Sequence, residues 1–350
     1  MYPQIGLTIH KVSVVDYLAP VIYDIYHDEC KEDGYWHGFF FVPRDHRDYL
    51  LSLLLRAREN AQYQHRVHYV GLSKTAKPHH EKYIVAEAWT SIGCAALQQQ
   101  KFTKCPPVVL LGKNPRQRTP PEYRVLTKLL QCKFVLFREN DKHRNMYEGM
   151  TQLQCIETTF RMAIKGGIHK LFSEQEPIEI GNVFIDGDEH YVGMYKRRFS
   201  IHRTLQRFAR ERRSFVSFVD GPMLIPQNSD HNKELEMGQD PNDSHLLQLC
   251  DVLIGGFRFH SCFSDRKHPR YDISIQCKEL LSHEQGNQAR MAQSRYFNGF
   301  TLQQAWIEHD EWNFAPLVTA TRNVRYIQPS LLLGAPAPTL GLESERQEGE

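Results

Sequence analysis

Apolar and polar residues recur along this chain with two different periods, and the switches between them outline its elements. APVIYDIYHDEC (19–30) is rich in β-branched and aromatic residues, KEDG follows as a turn, and YWHGFFFVP (35–43) resumes the same character, which predicts a hairpin. DHRDYLLSLLLRAREN (45–60) changes to helical spacing and opens with an aspartate in capping position. KFVLF (133–137) predicts a third strand, and MYEGMTQLQCIETTFRMAIKG (146–166) a long helix that ends at KGG (165–167). EIGNVFID (179–186) predicts a fourth strand, and it finishes on an acid. A basic helix (199–213), the strand SFVSFVD (214–220) and an apolar helix at 244–259 follow. The segment 61–131 breaks this series with a strand-like RVHYVGL, a helix in EKYIVAEAWTSIGCAALQQQ (81–100) and a Pro-rich basic stretch, GKNPRQRTPPEYR (112–124). It reads as an insertion between the second and third strands.

Without the insertion, three meandering strands precede strand–helix crossovers. That order predicts an α/β fold over 19–265, a mixed five-stranded sheet of ribonuclease H-like arrangement flanked by helices, with the first and fourth strands side by side. Residues 266–330, with a helix near 275–292 and FTLQQAWIEHDEWNF (300–314), read as a helical C-terminal elaboration. The last stretch, 331–350, loses aromatics and gains Pro, Gly and Glu, the composition of a disordered tail.

The apolar helix raises a chemical question. NDSHLLQLCDVLIGG (242–256) carries Asp251 among leucines, and burying an unpaired charge is costly. Asp28 ends the first strand and Asp186 the fourth. Neighbouring parallel strands deliver their carboxyl ends to one edge, where the helix can present Asp251 to the same point. Converging carboxylates repel unless a cation lies between them, and an all-oxygen donor set suits Mg²⁺ or Mn²⁺. Such a centre serves phosphoryl chemistry. Plainer readings stand beside this one: turn chemistry for Asp28 with Glu29, a solvated Asp-Gly turn at Asp186, and an internal ion pair between Asp251 and Arg258.

Charge and composition narrow the partners. The formal net charge is only +2, from 43 Lys and Arg against 41 Asp and Glu, so a nucleic-acid surface has to be local. YKRRFSIHRTLQRFARERR (195–213) is such a locality, with Lys196, Arg197, Arg198, Arg203, Arg207 and Arg210, although a solvated helix face has the same composition. The eight cysteines form no C-x-x-C pair, which points to reduced, structural thiols in a cytoplasmic protein. The start lacks an export signal, and no apolar run approaches the roughly 18 residues of a membrane helix, so a soluble protein is expected. Neither KPHHEK nor HSC has the second pair that a structural zinc site requires, and no G-x-x-x-x-G-K-S/T, G-x-S-x-G or G-x-G-x-x-G signature occurs. His27 and Cys30 could form a nucleophilic pair, but no residue in the sequence orients it.

IYHDEC on the first strand, VFIDGDE on a later one, and a serine followed by LLQLCDVLIGG together resemble the family known as domain of unknown function 3800. The resemblance spans roughly residues 20–260. It implies a ribonuclease H-like fold, metal-dependent nuclease activity on DNA or RNA, and Mg²⁺ or Mn²⁺ as cofactor; the family is widespread in bacteria and phages. Carried over, Asp28, Asp186 and Asp251 match the metal-binding acids, Glu29 the adjoining glutamate, and Ser244 and Gln248 the positions leading to the last acid. Cys30 and Lys31 depart from the family's Ser and Gly. Arg66 and His68, in RVHYVGLS, stand where the family carries Glu-x-Lys or Glu-x-His. Glu148, in the first turn of the long helix, is the candidate for the missing carboxylate, ahead of Glu157 and Glu87. The alternative is a catalytically degenerate protein of the same fold that binds nucleic acid or acts as a scaffold. Oligomeric state and any protein partner stay open.

Overall fold

The computed structural model describes residues 20–32, 34–72, 80–97, 131–139, 152–172, 178–186, 216–219, 224–262, 266, 268–278, 280–281, 300–308 and 311–316. Strands β1 (Val21–Cys30) and β2 (Tyr35–Pro43) form the expected hairpin, paired from Tyr23↔Pro43 to Cys30↔Trp36. Gly34 turns the chain with φ +118°, a conformation that costs glycine little because it has no Cβ. All nine residues of β2 are buried, since β3 (Lys133–Glu139) pairs with its other edge and helices cover both faces. Beyond β1, on the opposite side, β4 (Ile178–Asp186) runs parallel to it.

Among the described residues eight strands make up the sheet where five were expected. β5 (Val216–Phe218) and β6 (Leu224–Gln227) both pair in parallel with the outer edge of β4, and β6, four residues with a proline, is too short for periodicity to reveal. The expected helical elaboration has helix at 269–273 and 275–278 and also contains a strand pair: β7 (Phe300–Glu308) lies parallel to β3, and β8 (Glu311–Pro316) returns antiparallel to it. The reason is that β3 would otherwise present a row of unpaired amides and carbonyls. The spatial order is β5-β4-β1-β2-β3-β7-β8, a mixed, open sheet.

Helices α1 (Arg44–Ala61), α2 (Glu81–Leu97) and α5 (Asn242–Cys262) pack on one face, against Tyr26, Trp36, Phe40 and Phe134. Helix α3 (Gln152–Leu171) covers the other, against Ile25, Phe39 and Phe137. Two short helices, α4 (His231–Glu236) and α6 (Pro269–Ile273), flank α5. Pro43 rather than an aspartate precedes α1, and Asp45 lies in its first turn, where it favours the helix dipole without capping it. KGG does not end α3, which continues to Leu171; a Cβ on Gly167 would overlap Val135, so this glycine lets the helix settle on the sheet. The helical part of the presumed insertion is core: α2 lies between α1 and α5, and its buried Trp89 indole donates to the Leu54 carbonyl at 3.1 Å. Among the described residues, no helix is long and apolar enough to cross a membrane.

An irregularity between β1 and β4 fixes which residues share a face. Tyr23 pairs with Ile180 but Ile25 with Val183, so β4 holds one extra residue at Gly181 and Asn182. Before this bulge Ile178 and Ile180 face α3; after it Val183 and Ile185 do, and Phe184 turns toward α5 to stack on Tyr26 at 4.9 Å. Asp24 secures the bulge, accepting from the Asn182 amide at 2.8 Å and from both arms of Arg44 at 2.6 and 3.0 Å.

Close approach of α5 to the sheet depends on Gly38, the partner of Asp28 across the hairpin. A Cβ there would overlap the Ile254 side chain. Gly38→Ala is therefore expected to cost about 1–3 kcal/mol, the usual range for an overfilled core, measurable as a shifted urea midpoint at unchanged slope.

Candidate metal centre

Strand alternation decides how the acids are directed. On β1 the even positions, Tyr26 and Cys30, face α5, so Asp28 does as well. On β4 beyond the bulge the even positions also face α5, which brings Asp186 to the same side, one step past the His27↔Ile185 pair. Asp251 comes from α5 itself. The three carboxylates line one cavity of about 440 Å³, with Arg66, His68 and Lys31 also on its walls. Asp28 and Asp251 are 7% and 4% exposed. Asp28 accepts its own neighbour's amide, Glu29 N, at 2.7 Å, and no cation among the described residues pairs with it. Among the described residues, no three His, Cys, Asp or Glu side chains lie close enough to one another to hold a metal ion.

The fourth wall is the segment 63–72. RVHYVGL, expected as a strand, is irregular here, because its amides find side chains rather than a neighbouring strand. Val67 N donates to Gln248 Oε1 at 2.8 Å and Tyr69 N to Asp251 Oδ2 at 2.6 Å. Residues two apart on an extended chain thus meet residues three apart on a helix face. Val67 and Tyr69 are buried in the core, and alternation turns Arg66 and His68 into the cavity. A Cβ on Gly255 would fill the space of the Tyr69 ring, so this glycine makes room for the segment, whereas Gly256 lies against Cys277 and Ser274. Gln248 Oε1 also accepts from Arg58 Nη2 at 2.8 Å, and its amide nitrogen meets His231 Nδ1 at 3.1 Å. Arg270 holds the far end through the Val70 and Leu72 carbonyls, at 2.7 and 2.8 Å. Ser244 hydroxyl donates to the Asn228 carbonyl at 2.5 Å, and the next residue's amide, Ser229 N, donates to Asp186 Oδ1 at 3.2 Å. Both motif positions therefore act on the loops around the acids.

No family model, curated protein or solved structure matches the chain.

Electrostatics single out the acids. Burial, then Asp251 and Asp186, pushes the Asp28 carboxyl well above the usual carboxylate range. Burial also raises Asp251, against the opposing pull of His68, the Tyr69 amide and Arg66. His68 Nε2 lies 3.7 Å from Asp251 Oδ1, and Arg66 Nη2 3.7 Å from Asp186 Oδ2. The Arg258 pairing considered for Asp251 does not form. Arg258, 1% exposed, is bonded to the Glu32 carboxylate, which Arg270 also reaches at 3.4 Å. Glu29 alternates away from Asp28 on the strand and lies on the wall of the same cavity, where it takes the Tyr35 hydroxyl and pairs with Lys31 at 2.9 Å. His27 and Cys30 likewise face opposite sides. His27 Nε2 meets His37 Nδ1 at 3.1 Å, and burial pushes the Cys30 thiol up to about 11, unsuited to a nucleophile. Glu87 is exposed on α2. Glu148 and the basic residues Lys196, Arg197, Arg198, Arg203, Arg207 and Arg210 lie outside the described residues, as does the side chain of Glu157.

The raised carboxyls carry a pH signature. In metal-free protein, Asp28 and Asp251 contribute stability that is complete below the usual carboxylate range and lost as pH rises through their raised values. A divalent ion competes with those protons, so the thermal shift given by Mn²⁺ is expected to grow from about pH 5 to about pH 8. A shift independent of pH would exclude these two acids as its source.

Proposed function

We propose that this chain is a divalent-metal-dependent nuclease that cleaves phosphodiester bonds in nucleic acid, with a ribonuclease H-like fold of the kind found in the family domain of unknown function 3800. One observation carries the reading: two neighbouring parallel strands and a helix turn Asp28, Asp186 and Asp251 into a single cavity, on whose walls Lys31, Arg66 and His68 also lie beside Glu29 and Glu32. The three-strand meander followed by the parallel β4 supports the topology. The donor set fits Mg²⁺ or Mn²⁺, being all carboxylate, and two of its members are buried and mutually repelled in a way that a bound cation relieves.

Asp28, Asp186 and Asp251 would hold the ion. When bound, it would lower the pKa of a water and polarise a phosphoryl oxygen. The chain's own residues supply the rest. Lys31, 58% exposed at the mouth, and Arg66 can bind the phosphate backbone, which selects nucleic acid without reading its sequence. His68, beside Asp251, is placed to hold or release a proton at Nε2.

Mn²⁺ titration followed by thermal unfolding tests this. At a hundred times the dissociation constant, a stabilisation of about 2.7 kcal/mol is expected. Asp28→Asn should abolish it, together with Mn²⁺-dependent cleavage of labelled single- and double-stranded DNA and RNA. The ion pair of Arg66 with Asp186 favours a second reading, in which an internal cation replaces the metal and the protein binds nucleic acid or serves as a scaffold without cleaving it. Absence of any Mn²⁺ response, with nucleic-acid binding retained, would favour that reading over the first.

A further inference from the structure

We propose that Cys94 and Cys277 form a reversible disulfide when the protein meets hydrogen peroxide, and that this bond fastens one wall of the acidic cavity. Neither thiol lines that cavity, so the bond forms whether or not the acids take a metal. The two residues are 183 positions apart in sequence, yet their sulfurs lie 3.7 Å from each other, and they are 1% and 0% exposed. Cys94 comes from α2, and Cys277 from the helical turn at 275–278. A disulfide requires about 2.0 Å between sulfurs, so side-chain rotation and a small shift of the short segment close the gap. Gly256 on α5 leaves the space that Cys277 fills, since a Cβ there would come within 2.7 Å of its sulfur. Cys250 is placed differently: its thiol is directed at the Tyr26 and Gly38 carbonyls, at 3.3 and 3.6 Å.

The segment that carries Cys277 grips the cavity wall at 63–72. Arg270 donates to the Val70 and Leu72 carbonyls at 2.7 and 2.8 Å and reaches Glu32 at 3.4 Å, and Ser274 Oγ meets the Tyr69 hydroxyl at 3.2 Å. Tyr69 in turn donates its amide to Asp251. A bond from Cys277 to α2 therefore holds the wall through Ser274 and Arg270. Short helical pieces with half-buried neighbours, here Ile275, Gln276 and Lys278, open locally at low cost, and that opening admits the oxidant to Cys277. The Cys277 sulfur attacks one peroxide oxygen; the S–O bond forms, the O–O bond breaks, and the first water leaves with the thiol proton. As the segment closes, the Cys94 sulfur attacks the Cys277 sulfenic acid. The S–S bond forms, the S–O bond breaks, and the departing hydroxide takes the Cys94 proton as the second water. Two thiols lose two electrons, and one peroxide gains them.

The experiment treats the full-length chain with hydrogen peroxide, alkylates the remaining thiols, and maps peptides by mass spectrometry alongside amide hydrogen exchange. A peptide pair joined at Cys94 and Cys277, two hydrogens lighter than its parts and released by dithiothreitol, is expected. Exchange across 63–72 and 268–278 should slow on the order of tenfold in the oxidised form and recover on reduction. Cys94→Ala should give no joined pair and no slowing, and dimedone should instead trap the sulfenic acid on Cys277. Should that variant fail to fold, the parent's own peptide map and exchange decide. Oxidation of the half-buried Cys262 with Cys94 and Cys277 still recovered as alkylated thiols would overturn the proposal. A joined pair with unchanged exchange would overturn the fastening of the wall.

Discussion

Replacing Asp251 by asparagine is expected to lower Mn²⁺-dependent cleavage on the order of 10³-fold, corresponding to the several kcal/mol that a metal-centred charge contributes in the transition state. The metal-free protein should be as stable as the parent or more so. Asparagine keeps an oxygen for the Tyr69 amide, now at 2.6 Å, and removes a buried charge repelled by Asp186. Stranding of Arg258 does not arise, because that guanidinium belongs to Glu32. The two measurements belong together: thermal unfolding without metal, and cleavage with it. A variant that melts many degrees earlier would mean that the carboxylate holds the fold, and its effect on cleavage would then say nothing about a ligand.

Gln248→Leu should have the largest effect on stability of any single change in the motif, on the order of 3–5 kcal/mol, since it leaves several buried groups without their partner at once. Val67 N and Arg58 Nη2 both lose their acceptor. His231, kept neutral by burial and by Arg58, and donating from Nε2 to the Gln64 carbonyl at 2.8 Å, loses the amide hydrogen offered to Nδ1. Gln248→Glu retains the oxygen that accepts from both Val67 N and Arg58 and gives Arg58 a carboxylate, so it should cost much less. Urea unfolding of the two variants distinguishes a side chain that pins the loop from one that only fills space. The Mn²⁺ affinity of Gln248→Leu should fall as well, because Asp251 shares that loop.

Much of the site was legible in the chain because strand ends and helix motifs are local. The hairpin, the acid-terminated fourth strand and the serine-to-aspartate helix follow from composition and period alone, and the pairing of β1 with β4 brings Asp28 and Asp186 to one edge. Glu29 shows what neighbourhood in sequence hides: alternation turns it away from Asp28, and that signal was present in the strand itself. Arg66 and His68 were visible as departures from a family pattern, but their place opposite the acids depends on amides that bond to Gln248 and Asp251, which no periodicity encodes. The strands β6 to β8 were missed for a different reason. Short pairings at a sheet's margins are decided by the edge they cover more than by their own residues.

The single extra residue at Gly181 and Asn182 has the character of a phase shift. IEI and VFI are each apolar at alternate positions, but out of step, so β4 keeps a buried face along its whole length only by advancing one residue midway. Deleting that residue would leave a strand of acceptable composition, yet Asp186 would emerge on the α3 side of the sheet, away from Asp28 and Asp251. Architecture and chemistry in this protein are therefore separable by one residue of backbone, and the Asp24–Arg44 clamp keeps the two in register.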